Sequence, residues 1–204
     1  MEPDWIETRE AFEVAAHWFV DTASAVGDRW HAPGLGEWDV RALVGHTTRS
    51  FLTIEDYLGK PPTQIDVFSA PGYYLAIRSM TSGPAVTQRG VDAGRALGDD
   101  PVAAVRGIAD RVLHLVQAST GEELLTSIAG GMRLIDYLPT RTFELVVHTC
   151  DLAVALSLPM SPPSAAARAV MQVATEVVID DGQAGEVLLA LTGRRSLPEG
   201  FSLV

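Results

Sequence analysis

Glu144 and His148 stand four residues apart in Phe143-Glu144-Leu145-Val146-Val147-His148, a run whose other members are apolar. On a helix this spacing brings a carboxylate and an imidazole to one face, a turn apart. Phe143, Leu145, Val146, Val147, Leu152, Val154 and Leu156 make such a helix apolar nearly all round, which assigns it to the middle of a core. An ionised carboxylate there is costly unless something positive compensates it. Two partners fit. A divalent cation would take Glu144 together with His148 as a neutral nitrogen ligand. Alternatively, Arg141, three residues before Glu144 and on much the same face, forms an ordinary ion pair with it. A third ligand is needed to favour the cation, and His46 is the candidate. It follows Val40, Leu43 and Val44 and precedes Phe51, within or at the edge of an apolar helix face. Alone it reads as a hydrogen-bonded core histidine; opposite Glu144 and His148 it completes a His-Glu-His set.

The elements that must position these residues are mostly helical. Apolar periodicity predicts a first helix over residues 6–26, with Ile6, Phe12, Ala16, Phe19, Val20 and Ala23 facing inward. A turn-rich stretch from Gly27 to Glu37 follows. Asp39 is a good N-cap for a second helix over residues 40–58, with Trp38 before it as a staple residue, and Gly59-Lys60-Pro61-Pro62 stops it. Residues 59–98 form a long Gly- and Pro-containing crossover with short helices near 73–80 and 87–97. Tyr73, Tyr74 and Arg78 in this crossover either line a pocket or pack over the mouth of the bundle. Asp99-Asp100-Pro101 starts a helix running to about Ala118. Residues 124–128 and 132–135, flanking Gly130-Gly131, read as a hairpin; no phosphate-binding pattern surrounds the glycines. Pro139-Thr140 opens the Glu144/His148 helix, and two further helices, near 163–179 and 183–191, complete the chain. Residues 1–204 are expected to form a single, mainly helical domain.

The remaining reactive side chains carry weaker signals. His17, His31 and His114 read as surface or packed histidines. Cys150, the sole cysteine, should point about 200° around the helix from His148, and reads as a small buried hydrophobe. One cysteine excludes an internal disulfide framework and suits a reducing compartment. A net charge of −11 without any Lys/Arg cluster argues against nucleic acid and anionic membrane surfaces as partners. The acidic start and the absence of a long apolar run give no secretory signal or membrane span, so the expected location is cytoplasmic.

Trp38-Asp39-Val40-Arg41-Ala42-Leu43-Val44-Gly45-His46 resembles the metal-binding, N-terminal domain of the mycothiol-dependent maleylpyruvate isomerases, within the DinB-like superfamily. Arg141, Thr142, Glu144, Leu145, His148, Asp151, Leu152 and Ala153 match that family's Arg-Thr-x-Glu-Leu-x-x-His-x-x-Asp-Leu-Ala block, and Ala190-Leu191-Thr192-Gly193-Arg194 its ending. The resemblance implies a DinB-like four-helix bundle with a long crossover between helices 2 and 3, a short hairpin and extra C-terminal helices. It also implies a divalent metal, usually zinc, on His46, Glu144 and His148. Asp151 is then a candidate to orient a ligand histidine, or else a helix-surface anchor, and Arg141 to bind an anion or pair with Glu144 or Asp151.

Three protein ligands leave a tetrahedral ion one open position, as in catalytic zinc sites. Zinc there would hold a thiol, mycothiol in the resembled isomerases, as the nucleophilic thiolate. In those isomerases the thiolate adds to a cis double bond, the resulting single bond rotates, and elimination of the thiol leaves the trans product. The resembled isomerases also carry a further C-terminal domain, which is expected to be absent here, and that weighs against maleylpyruvate itself as substrate. The leading expectation is a thiol-using isomerase or transferase whose partners are a small-molecule thiol and an electrophile. The alternatives are a noncatalytic metal- or ligand-binding sensor and, since two histidines and a carboxylate also serve iron, a nonhaem iron enzyme. Oligomeric state is open, with a homodimer allowed.

Overall fold

The computed structural model describes residues 4–80 and 84–203. Four long helices form the bundle: α1 (Trp5–Ser24), α2 (Val40–Leu58), α5 (Pro101–Ala118) and α6 (Leu134–Ala155). The crossover between α2 and α5 carries α3 (Ala70–Ile77) and α4 (Pro84–Ala96). α7 (Ser164–Asp180) packs across α1, α3 and α6, and α8 (Ala184–Leu191) follows it. Two small antiparallel ladders, β1 (Pro33–Leu35) with β2 (Trp38–Asp39) and β3 (Leu124–Ser127) with β4 (Gly130–Arg133), lead into α2 and α6 respectively. The mainly helical DinB-like bundle with its long crossover is thus what the sequence implied. Among the described residues, no helix is long and apolar enough to cross a membrane.

Caps fix where the helices begin. Asp4 accepts the backbone N–H groups of Ile6 and Glu7, Asp39 that of Ala42, and Asp100 that of Ala103, so each side chain satisfies a donor that its helix leaves free. Inward faces then meet in one core. Phe51 of α2 lies 5.9 Å from Phe12 and 6.1 Å from Phe19 of α1, ring centre to ring centre. Val105, Val112 and Val116 of α5 and Leu138, Leu145 and Leu152 of α6 fill the rest. Ile6, expected on the inner face of α1, is instead 66% exposed, one turn from the helix end where the chain has left the core.

Two local readings change. α6 starts at Leu134 rather than at Pro139, which lies inside it. Proline is favoured in a first helical turn, which is why it looked like the start. An upstream turn is stabilised instead by Arg133 Nε, which donates to Asp136 Oδ2 at 2.7 Å. The hairpin turn is Ile128-Ala129, and the two glycines belong to β4. Gly130 has φ of 110°, a conformation other residues rarely adopt. At Gly131 a Cβ would collide with the Gln64 carbonyl oxygen of the crossover. That contact is also hydrogen-bonded: the Gly131 N–H donates to Asp66 Oδ2 at 2.7 Å, and its carbonyl accepts from the N–H groups of Asp66 and Val67. The glycines let the crossover dock.

α4 lies close on α2 for a similar reason. A Cβ on Gly45 would strike the Gly94 backbone, and one on Gly94 would sit 2.7 Å from the Arg41 carbonyl oxygen. Arg41 then donates from Nε to the Gly94 carbonyl at 2.8 Å and from its terminal nitrogen to that of Gly98, covering the C-terminal end of α4. Trp38, the expected staple, donates from Nε1 to the Thr87 carbonyl at 2.9 Å and presses its ring on Gly90. The first part of the crossover is therefore tied to the hairpin, and the second to α2.

Candidate metal centre

The middle of α2 supplies His46, and one face of α6 supplies Glu144 and His148. Their ligand atoms all lie within 4.8 Å of one another. Glu144 Oε2 is 3.4 Å from His148 Nε2, close to the edge of a tetrahedron with bonds of about 2.1 Å. The His46 and His148 rings meet nearly perpendicular, with centres 4.9 Å apart and planes at 86°. Glu144 and His148 keep 23% and 15% of their side-chain surface exposed, so an ion and a small ligand have a way in. His17, His31 and His114 lie elsewhere, and Cys150 is free, half-buried and outside the cluster.

Each of the α6 donors is held from behind. His148 Nδ1 lies 3.1 Å from Asp151 Oδ2; with the proton on Nδ1, the lone pair of Nε2 faces Glu144 and His46. The Tyr74 hydroxyl, from α3, is 3.0 Å from Glu144 Oε1 and 3.0 Å from the Thr140 carbonyl. Burial, followed by the Glu144 charge, raises the Tyr74 pKa well above its ordinary value, which keeps it a donor. Oε1 is thereby occupied, and Oε2 is left for the centre. On the far side, the Trp38 ring stacks against His46 at 4.5 Å, giving the site an aromatic wall.

Electrostatics divide the two histidines. Burial, reinforced by the neighbouring His148 charge, brings His46 down to about 4, so it is neutral at pH 7. Its Nδ1 is buried without a hydrogen-bond partner among the described residues. A buried imidazole nitrogen in that condition is unsatisfied, which is costly in a packed site. Burial also opposes charge on His148, but hydrogen bonding to Asp151 and Glu144 outweighs it and holds the group up at about 9. Glu144 would be raised by burial; the His148 hydrogen bond, the Arg141 charge and the Tyr74 hydroxyl bring it to about 2 instead. Without an ion, His148 and Glu144 form an ion pair; with one, His148 gives up a proton. The donor set and its geometry fit a divalent metal.

Arg141 departs from both conservative assignments. Among the described residues it forms no ion pair, either with Glu144 or with Asp151. Its guanidinium lies 4.9 Å from the Tyr137 ring centre and 5.5 Å from that of Tyr73, and it donates to Thr140 Oγ1 at 3.0 Å and the Tyr73 hydroxyl at 3.3 Å. It therefore lends Glu144 a positive field without bonding either carboxylate oxygen. The Tyr137 ring lies four residues back on α6, a spacing the sequence shows, whereas that of Tyr73 comes from α3 and is not revealed by α6. Tyr74, which the sequence offers as either a pocket-lining or a packing residue, and Trp38, offered as a staple, each reach the centre from another element.

A groove of about 630 Å³, lined by His31, Glu37, Asp39, Arg41, Arg95 and Asp99 among others, opens between the start of α2 and α4 and does not include the triad. Its arginines are engaged with helix carbonyls or with Asp92, so it lacks the convergent donors found at the triad.

No curated protein and no solved structure matches the chain. A family profile described as the mycothiol maleylpyruvate isomerase N-terminal domain does, over residues 12–153. That span holds α2, α6, His46, Glu144, His148 and Asp151, and takes in more than two thirds of the sequence. The chain belongs to the family of mycothiol maleylpyruvate isomerase N-terminal domains.

Proposed function

We propose that this protein binds zinc through His46, Glu144 and His148 and uses it to activate a small-molecule thiol, mycothiol in keeping with its family, toward an electrophile, as an isomerase or a thiol transferase. The observation that carries this reading is the convergence of three donors on a point that stays accessible. Three ligands leave a fourth position for an exchangeable group, the pattern of catalytic rather than structural zinc sites. When bound, the metal supplies a Lewis acid that favours the thiolate form of a thiol.

The chain's own residues do the rest. His46 offers a lone pair without first losing a proton, because burial keeps it neutral. Tyr74 fixes Glu144 through Oε1, and Asp151 sets the His148 ring and tautomer. Trp38 shields His46 from water on the α4 side. The acidic surface disfavours nucleic acid and anionic membrane as partners, and a reducing, cytoplasmic setting suits a thiol co-substrate and the single cysteine.

Elemental analysis of the purified protein, followed by calorimetric titration with mycothiol and with a simple thiol, tests this. The expected result is about one metal per chain, thiol binding only in the metal-loaded form, and metal-dependent thiol consumption with an electrophile. Full metal retention in His46→Ala, Glu144→Ala and His148→Ala would sink the site. Metal and thiol binding without turnover over a broad electrophile panel would favour a noncatalytic sensor.

A further inference from the structure

Helix α8, Ala184-Gly185-Glu186-Val187-Leu188-Leu189-Ala190-Leu191, carries Glu186 as its one charged residue and is apolar nearly all round. Such a helix belongs inside a fold, and one this short is not stable alone in water. Yet none of its residues is buried. It meets the rest of the fold chiefly through α7. Val187 and Ala190 are half-buried, while Leu188, Leu189 and Leu191 are 61%, 40% and 70% exposed. Ile179, at the end of α7, and Leu197, beyond α8, flank it with further exposed apolar side chains. The turn that leads into α8 is anchored: Arg78 donates to both carboxylate oxygens of Asp181, at 2.6 and 2.9 Å. The apolar face is therefore presented in a set position.

We propose that α8 is the contact of a two-fold homodimer, packing antiparallel against α8 of a second copy. The charges around the helix single out this occupant. Asp180 and Glu186 lie toward its N-terminal end, and Arg194 and Arg195 just past its C-terminal end. All four are exposed, and none forms an ion pair among the described residues. The two arginines also line a shallow groove of about 490 Å³ with Ala190, Gly193, Ser196 and Leu197. An antiparallel two-fold pairing sets each copy's acidic end beside the other's basic end, and does so twice. A parallel pairing would set like against like. Over the rest of the surface two chains of net charge −11 repel each other, so association depends on this local match. An anionic membrane offers no acidic-to-basic pattern and is the poorer occupant. Leucines at the middle of the contact supply affinity, and the charges at its rim select orientation and partner. An eight-residue helix is about 12 Å long, so the dimer is small and reversible rather than permanent. It stands independently of the metal-and-thiol reading.

Analytical ultracentrifugation of the full chain, from low micromolar to submillimolar concentration, tests the pairing. The expected result is a reversible equilibrium between monomer and dimer. Leu188→Asp, at an exposed position outside the core, should weaken it at least about a hundredfold, because a leucine is lost from each side of the contact. D180K/E186K and R194E/R195E each leave one sign of charge at both ends of α8. Alone, each should self-associate about tenfold more weakly than the parent at low salt; mixed in equal amounts, they should pair at least as well as the parent. Circular dichroism checks that all variants are folded. A monomer at every concentration overturns the proposal and leaves the face to a different partner. So does a dimer that Leu188→Asp leaves intact, because its interface then lies elsewhere. A mixture of the charge variants that pairs no better than either alone also overturns it, by removing the charged ends from the contact.

Discussion

At the scale of single residues, the centre works because each donor is prepared differently. His46 is already neutral at pH 7 and Glu144 already ionised, whereas His148 carries a proton that an ion must displace. Between about pH 5 and 9, apparent metal affinity should therefore rise about tenfold per pH unit, with about one proton released per ion. Calorimetry in buffers of different ionisation enthalpy measures both; a flat profile would mean that His148 is not a ligand. The same pair has the opposite pH dependence in the metal-free protein. The His148 pKa is raised from 6.5 to about 9, so its interaction stabilises the fold fully below about 6.5 and is lost as pH rises through about 9. Tyr74→Phe deletes the hydroxyl held to Glu144 Oε1 and should weaken metal binding about 10–100-fold with little loss of fold. A competition titration against a chromophoric chelator reads it, and unchanged affinity would make Tyr74 a packing residue only. The ligands themselves were legible because four-residue spacing on a helix is a geometric statement. The roles of Tyr74 and Trp38 at the site were not, since they depend on how α3 and β2 fold against the ligand helices.

At the scale of elements, the helix-forming signals that proved reliable were those with a local physical cause. Asp39 and Asp100 cap the helices that their sequence neighbourhood announced. The start of α6 was misread because Pro139 has a local preference that a nonlocal context overrides: β4 runs directly into the helix, and the Arg133–Asp136 pair holds its first turn. The Gly130-Gly131 pair likewise looked like a turn, when its cause is the approach of the crossover at Asp66. Gly45 and Gly94 belong to this class of contact-driven glycines, and they set where α4 can sit. Gly45→Ala places a methyl group against the Gly94 backbone, which cannot yield as a flexible side chain would. The expected cost is about 1–3 kcal/mol, with α4 lifted off α2. Urea unfolding gives the energy, and hydrogen exchange should show faster exchange confined first to α4. Because Trp38 bridges α4 and His46, the variant should also bind metal less tightly. Normal exchange in α4 would show that the helices have room that their backbones do not reveal.

At the scale of the whole molecule, the candidate centre joins helices whose ligands are far apart in sequence: His46 and Glu144 are separated by 98 positions (144 − 46). An ion shared between α2 and α6 is therefore a cross-link within the bundle, not a decoration of one helix. Because the unfolded chain cannot hold these donors together, binding energy appears as folding stability. At free zinc a hundredfold above its dissociation constant, the gain is about 2.7 kcal/mol, which for a chain of this size raises Tm by roughly 5–11 °C. Nonspecific effects are a real competitor, since a net charge of −11 attracts cations everywhere on the surface. The comparison that separates them is His46→Ala, which removes one uncharged donor and leaves net charge at pH 7 unchanged. Screening of surface carboxylates would raise Tm equally in both proteins, and magnesium would do so as well as zinc. A bundle closed by the triad should gain stability with zinc only when His46 is present, and should lose that gain on addition of a chelator. An equal rise in both proteins would show that the three side chains meet without acting together on an ion.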